Sequence, residues 1–178
     1  FDVQEYYGML EAGILAPEEK VELINGEIIQ MSPIGSQHAA CVSRLRELIG
    51  EILGKSVIIR TQDPVRLNDK SEPEPDLAIL RRQADFYANA HPRPKDVLLL
   101  IEVADSSLHF DQHVKLPLYA NAGIPEVWIV DIVNQQVKTF SGPEAGTYKQ
   151  QALFHTSENV TSTTLAHLNV SVDNILPN

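Results

Sequence analysis

Val97-Leu98-Leu99-Leu100-Ile101-Glu102-Val103 is the stretch that decides the fold of this chain. A nearly unbroken apolar run of that length reads as a strand buried on both faces, as in the middle of an α/β sheet. Glu102 interrupts it, and a carboxylate is costly to bury unless something pairs with it. A second run, Leu77-Ala78-Ile79-Leu80, is opened by Pro75-Asp76, and a third, Val127-Trp128-Ile129-Val130, follows Lys115 and Tyr119. Two carboxylates at buried strands, with a lysine nearby, form a candidate site for a divalent cation and an activated water.

Outward from these strands the pattern alternates. Val3, Tyr6, Tyr7 and Leu10 predict a helix over 2–13. Val21-Glu22-Leu23-Ile24, Asn25-Gly26 and Glu27-Ile28-Ile29-Gln30-Met31 predict a hairpin with a type I′ turn, which places Glu22 opposite Ile29. Ser36 reads as the cap of a helix that ends at Gly54, with Ala39, Val42, Leu45, Leu48, Ile49 and Ile52 on its apolar stripe. Val57–Ile59, Pro64–Leu67, Pro75–Leu80, 97–103 and Glu126–Ile132 read as strands. A helix is expected over Asp111–Ala122, although Pro117 removes a donor there and requires either a start near 113 or a kink. Gln136–Phe140 and Tyr148–Phe154 form hairpin-like pieces about a Gly142-Pro143 turn. The expected architecture is an α/β (α+β mixed) domain with a central mixed sheet flanked by helices.

Composition narrows the class. At 178 residues with 43% hydrophobic content, a single globular domain over 1–178 is expected. No apolar run approaches the roughly 18 residues of a membrane span, and a basic-apolar-small secretory pattern is absent at the start. Cys41, the only cysteine, allows neither an intrachain disulfide nor a Cys-based zinc site and reads as core filling. The cytoplasm is therefore expected, with no membrane partner. A net charge of −10 argues against strong non-specific nucleic-acid binding. Yet residues 44–115, which hold Asp76 and Glu102, also carry 11 of the 14 basic residues. That distribution is either mixed surface or a phosphate-facing stripe.

If the strands of Asp76 and Glu102 run antiparallel, their carboxylates fall at one end of the sheet. Mg²⁺ or Mn²⁺ takes hard oxygen ligands, typically one or two carboxylates with waters, and the main-chain carbonyl of Val103 is a natural third. Asp111, Lys115 and Tyr119 recur at i, i+4 and i+8 and share a helix face. Lys115 could orient or help deprotonate the attacking water from that face. The duller alternative is a solvated Asp111–Lys115 pair. Trp128 reads as core, and His109 and His113 make no zinc set.

"EPEPDLAIL", "LLIEVADSSLHFD" and "VKLPLYANAGIPEVWIVDI", with "VELINGEIIQMSPIGSQHA" upstream, resemble the Uma-two family of restriction-endonuclease-like proteins. Four ordered blocks from about Val21 to Ile132 carry the likeness, and family members resemble nucleases of the PD-(D/E)XK fold. The resemblance implies a metal-dependent phosphodiesterase, with DNA as substrate and a homodimer as assembly. It assigns Asp76 and Glu102 to Mg²⁺ or Mn²⁺, and Lys115 to the water. The usual lysine two residues after the second acid is Ala104 here, so Lys115 must come from the following helix. Glu22 matches the acid before the family's hairpin turn and is expected to act through water. His38 matches a histidine at the helix start, with phosphate or the acidic cluster as its contact. Ser106 and Ser107 are phosphate donors or loop-fixing residues. A non-catalytic module that keeps the nuclease fold for binding or dimer formation is the rival, favoured by Ala104 and the acidic balance; a hydrolase of small phosphoesters is a third possibility.

Overall fold

A computed structural model describes residues 1–16 and 18–177. Helix α1 (Val3–Glu11) starts on a capping box, in which Asp2 accepts from the Glu5 N–H and Glu5 accepts from the Asp2 N–H, each at 2.8 Å. Strands β1 (Val21–Ile24) and β2 (Glu27–Gln30) pair antiparallel with Glu22 opposite Ile29. Asn25 and Gly26 take φ of 51° and 81°, the left-handed pair that a type I′ turn requires. Helix α2 (Ser36–Leu53) buries Cys41, Val42, Leu45 and Ile49. Its cap position is Gly35, one residue before the expected Ser36, and no side chain caps it.

The central sheet has six strands in the order β3-β4-β5-β6-β7-β8. They are β3 (Val57–Arg60), β4 (Leu77–Arg81), β5 (Val97–Ala104), β6 (Glu126–Asp131), β7 (Gln136–Glu144) and β8 (Thr147–His155). Only β5 and β6 are parallel; the other neighbours are antiparallel. The parallel pair needs a crossover, which the helical segment 108–121 provides. That segment opens at Leu108–Phe110, widens into a π turn at Asp111–Lys115 and continues as an α-helix at Leu116–Asn121. The Leu116 N–H donates to the Asp111 carbonyl, five residues back. The wide turn immediately before Pro117 resolves the conflict expected there: the helix starts earlier than 113 and runs past the proline.

One extra residue in β5 sets which side chains face which layer. Ile79 pairs with Leu99 but Leu80 pairs with Val97, so Leu98 forms a bulge. Beyond it, Leu99, Ile101 and Val103 pack toward α2 and the C-terminal segment. Leu100, Glu102 and Ala104 point to the opposite face, under the 108–121 helix. Trp128 is fully buried in the α2-side layer, as expected of core. A two-stranded ladder, β9 (Asn159–Thr161) with β10 (Asn169–Ser171), and a short helix at Val172–Ile175 complete that layer.

Two expectations are corrected. Pro64–Leu67 is extended but outside the sheet, bonded instead to the returning segment through Val65 N–H to Pro73 O (2.9 Å) and Leu67 N–H to Ser71 O (3.0 Å). Prolines at 64, 73 and 75 lack the donors that a longer ladder needs. The turn between β7 and β8 lies at Ala145-Gly146 (φ 48° and 79°), while Gly142 and Pro143 belong to β7.

Candidate active site

The antiparallel pairing of β4 with β5 places Asp76, one residue before β4, near the C-terminal end of β5, where Glu102 lies. Asp76 is held by three donors. Its Oδ2 accepts from the Val103 N–H at 2.8 Å and lies 3.1 Å from His38 Nε2; its Oδ1 accepts from Gln62 Nε2 at 3.2 Å. His38 reaches Asp76 from the first turn of α2, so it contacts the acidic cluster. That bond holds the His38 imidazole above its ordinary pKa, against the opposing effect of burial.

Glu102 points into the layer beneath the 108–121 helix. The Tyr119 hydroxyl donates to its Oε1, and Lys115 Nζ lies 3.4 Å from the same oxygen. Lys115 also pairs with Glu22 Oε2 at 3.1 Å, and that oxygen accepts the Glu74 N–H at 3.0 Å. The expected face of Asp111, Lys115 and Tyr119 is thus turned inward. Asp111 is 4% exposed and Lys115 5%, which rules out the solvated-pair alternative. Asp111 is bonded by the Ser107 hydroxyl at 2.6 Å. Ser107 therefore fixes the helix start, whereas Ser106 is exposed and lines the cleft.

These residues line a cleft of about 720 Å³ between the hairpin with its following segment on one side and residues 105–111 on the other. Four buried carboxyls, Glu22, Asp76, Glu102 and Asp111, converge with one ammonium, Lys115. The electrostatics follow from burial first and from that imbalance second. Burial pushes the Glu102 carboxyl up to about 8; the Lys115 charge and the Tyr119 bond oppose it, and Asp111 and Asp76 add to it. Burial likewise moves Asp111 up to about 6, against the Ser107 bond and Lys115. For Lys115 burial works to release the proton, but Glu102, Glu22 and Asp111 together prevail and hold the ammonium far above its usual range.

The chemistry of the donor set fits a hard divalent cation. Excess negative charge is concentrated on carboxylate oxygens, and among the described residues no hydrogen bond reaches Glu102 Oε2. The N–H and C=O of one strand residue point to the same side. Because the Val103 N–H is directed to Asp76, beyond the start of β4, its carbonyl faces that side as well. Among the described residues no group of three or more His, Cys, Asp or Glu side chains is arranged to hold a metal. Two carboxylates, a main-chain carbonyl and waters form the smaller protein share that Mg²⁺ takes.

The sequence profile of the Uma2 family, described as "Putative restriction endonuclease", matches residues 3–173. The chain belongs to the Uma2 family. Among solved structures, a "putative nuclease belonging to DUF820" from Anabaena variabilis superposes on this Uma2 chain with a TM-score of 0.78. The superposition covers 98% of this chain and 97% of the other at 17% sequence identity, a likeness of fold. No curated protein matches the chain at a significant level. No described helix of this Uma2 protein is long and apolar enough to cross a membrane.

Two contributors to the site escaped sequence reasoning. Gln62 holds Asp76 from the left-handed turn after β3 (φ 52°), and Glu74 presents its N–H to Glu22. Each is an isolated polar residue in a connecting segment, without spacing that would mark it.

Proposed function

We propose that this Uma2 protein is a Mg²⁺- or Mn²⁺-dependent endonuclease that hydrolyses phosphodiester bonds in DNA. The observation that carries this reading is the delivery of Lys115 from the helix to Glu102, at the floor of the cleft that Asp76 shares. Asp76, Glu102 and the Val103 carbonyl would hold the cation. When bound, the cation supplies Lewis acidity, polarising the scissile phosphate and making water acidic enough to attack.

The remaining roles belong to the chain itself. Lys115 stays an ammonium through the physiological range, so it orients the water and offsets phosphate charge; it does not serve as a base. Glu22 positions Lys115 through their ion pair. Asp111, the cleft carboxyl raised to about 6, is our proposed acceptor of the proton that the water loses. His38 and Gln62 orient Asp76. Ser106 is free to donate to a phosphate oxygen at the mouth of the cleft. Water attacks phosphorus in line, the bond from phosphorus to the leaving sugar oxygen breaks, and that oxygen takes its proton from solvent at the open mouth of the cleft. Cutting both strands of a duplex requires two such sites, which a homodimer would supply. A buried lone thiol, Cys41, suits the reducing cytoplasm.

The test is cleavage of supercoiled plasmid and of labelled single- and double-stranded oligonucleotides with Mg²⁺ or Mn²⁺. Wild type should cut, EDTA should stop it, and Asp76→Asn, Glu102→Gln and Lys115→Met should each lose at least about a thousandfold of the rate, as expected for groups that act at the transition state. Wild type that binds DNA but cuts nothing across that panel would instead establish the non-catalytic binding module.

A further inference from the structure

Far from the cleft, at the other end of β4, residues 81–96 form a loop unlike the rest of this acidic protein. The loop holds Arg81, Arg82, Arg93 and Lys95 against two acids, Asp85 and the buried Asp96, which accepts from the Gln83 amide and the Arg93 N–H. All four cations are exposed, and among the described residues none lies within ion-pair distance of a carboxylate. Asp85 itself is occupied, accepting from the Tyr87 N–H and the Asn89 amide, each at 3.2 Å.

The backbone here is strained in a directed way. Phe86 and Tyr87 take φ of 53° and 60°, a left-handed conformation that bulky side chains rarely adopt. Surrounding contacts enforce it. Arg60 donates to the Phe86 carbonyl at 3.1 Å and lies with its guanidinium 5.7 Å from the Tyr87 ring centre. The Tyr87 hydroxyl donates to the Arg81 carbonyl at 2.6 Å. With Tyr87 clamped into the core, its neighbour must point outward: Phe86 is 53% exposed. The Arg82 guanidinium lies 4.9 Å from the centre of that ring. Strain held in place by several contacts marks a position that the fold over-determines, as functional sites do.

We propose that this loop is a binding platform for a single strand of nucleic acid, with Phe86 stacking on an unpaired base and Arg82, Arg81, Arg93 and Lys95 meeting the flanking phosphates. An exposed aromatic ring beside unpaired cations is the chemistry by which proteins hold single strands without reading their sequence. A continuous duplex offers phosphates but no open base face, so the ring favours an unpaired segment or a frayed end. The proposal concerns binding and stands whether or not the cleft cleaves.

Fluorescence anisotropy with a labelled 20-residue oligo-dT, an oligo-U of equal length and a blunt duplex, in EDTA, tests it on the full chain. Phe86→Gly suits the left-handed backbone and keeps the fold intact, which the melting temperature will confirm. It should weaken single-strand binding about tenfold and leave duplex binding little changed. Arg82→Gln should lower the slope of log K against log salt by about 0.7, the signature of one lost phosphate contact on a single strand. Equal effects on oligo-dT and oligo-U indicate a platform shared by DNA and RNA; an effect on one identifies its strand. Wild type that fails to bind either single strand at low salt, or a Phe86→Gly protein that binds both as wild type does, overturns the proposal.

Discussion

Replacing Glu102 by Gln keeps the shape of the side chain and removes its ionisation. In the native protein burial pushes this carboxyl up to about 8, whereas in the unfolded chain it titrates near about 4.3. Between those values the native state holds a proton that the unfolded state has released, so stability falls as pH rises, by up to about 1.4 kcal/mol per unit. Above about 8 the loss is complete, with a ceiling of about 5 kcal/mol for the full shift. An amide has no such slope. Lys115 keeps its charge across this range in the native state, so the difference between the two profiles reads Glu102 together with the groups coupled to it. Urea unfolding followed by the fluorescence of Trp128, which is fully buried, gives the stability at each pH. Glu102→Gln should match wild type or fall below it near pH 4.5 and exceed it at pH 8–9, by no more than about 5 kcal/mol. Mg²⁺ should narrow that gap: at a hundredfold its dissociation constant it stabilises wild type by about 2.7 kcal/mol and leaves the variant nearly unmoved. Parallel pH profiles, or equal stabilisation of both proteins by Mg²⁺, would refute the assignment of Glu102 as a buried carboxyl waiting for a cation.

Lys115→Met leaves Glu22 and Glu102 facing each other without their cation; unfolding at pH 8 should show a loss of about 3–5 kcal/mol. Adding Glu22→Gln should recover much of that stability but none of the cleavage, which separates folding from chemistry. Tyr119→Phe removes a bond that favours ionised Glu102, so calorimetric titration with Mn²⁺ should show half-maximal affinity at higher pH than in wild type. Glu126 is fully buried and accepts from the Trp128 indole, the Ser162 hydroxyl and the N–H groups of Thr163 and Thr164. Glu126→Ala orphans those donors and should cost at least about 3 kcal/mol, with hydrogen exchange in 159–168 rising while Mn²⁺ affinity is retained.

What the sequence made legible is what local chemistry dictates. Asn25-Gly26 permits one tight turn and so fixed the register that brings Glu22 to the site. The apolar runs at 77–80, 97–103 and 127–130 announced central strands, and the polar residues within or beside them marked the cleft. Ala104 left open where the lysine would come from, and the helix supplies it. The illegible parts depend on contacts between segments distant in sequence. Pro64–Leu67 has the composition of a strand, but the prolines facing it leave too few donors to extend a ladder. The π turn at Asp111–Lys115 answers Pro117 in a way that helical periodicity does not encode. Glu126 looks like an exposed strand-start acid until Ser162–Thr164 close over it. The left-handed pair Phe86-Tyr87 carries no glycine to betray it.

The most direct test of the site is a crystal soaked in Mn²⁺, with anomalous differences measured at the manganese edge. The expected result is a peak in the cleft about 2.0–2.3 Å from carboxylate oxygens of both Asp76 and Glu102, with Lys115 still paired to Glu22. A peak that excludes either carboxylate, or a cleft without one at saturating Mn²⁺, would contradict the metal-dependent nuclease.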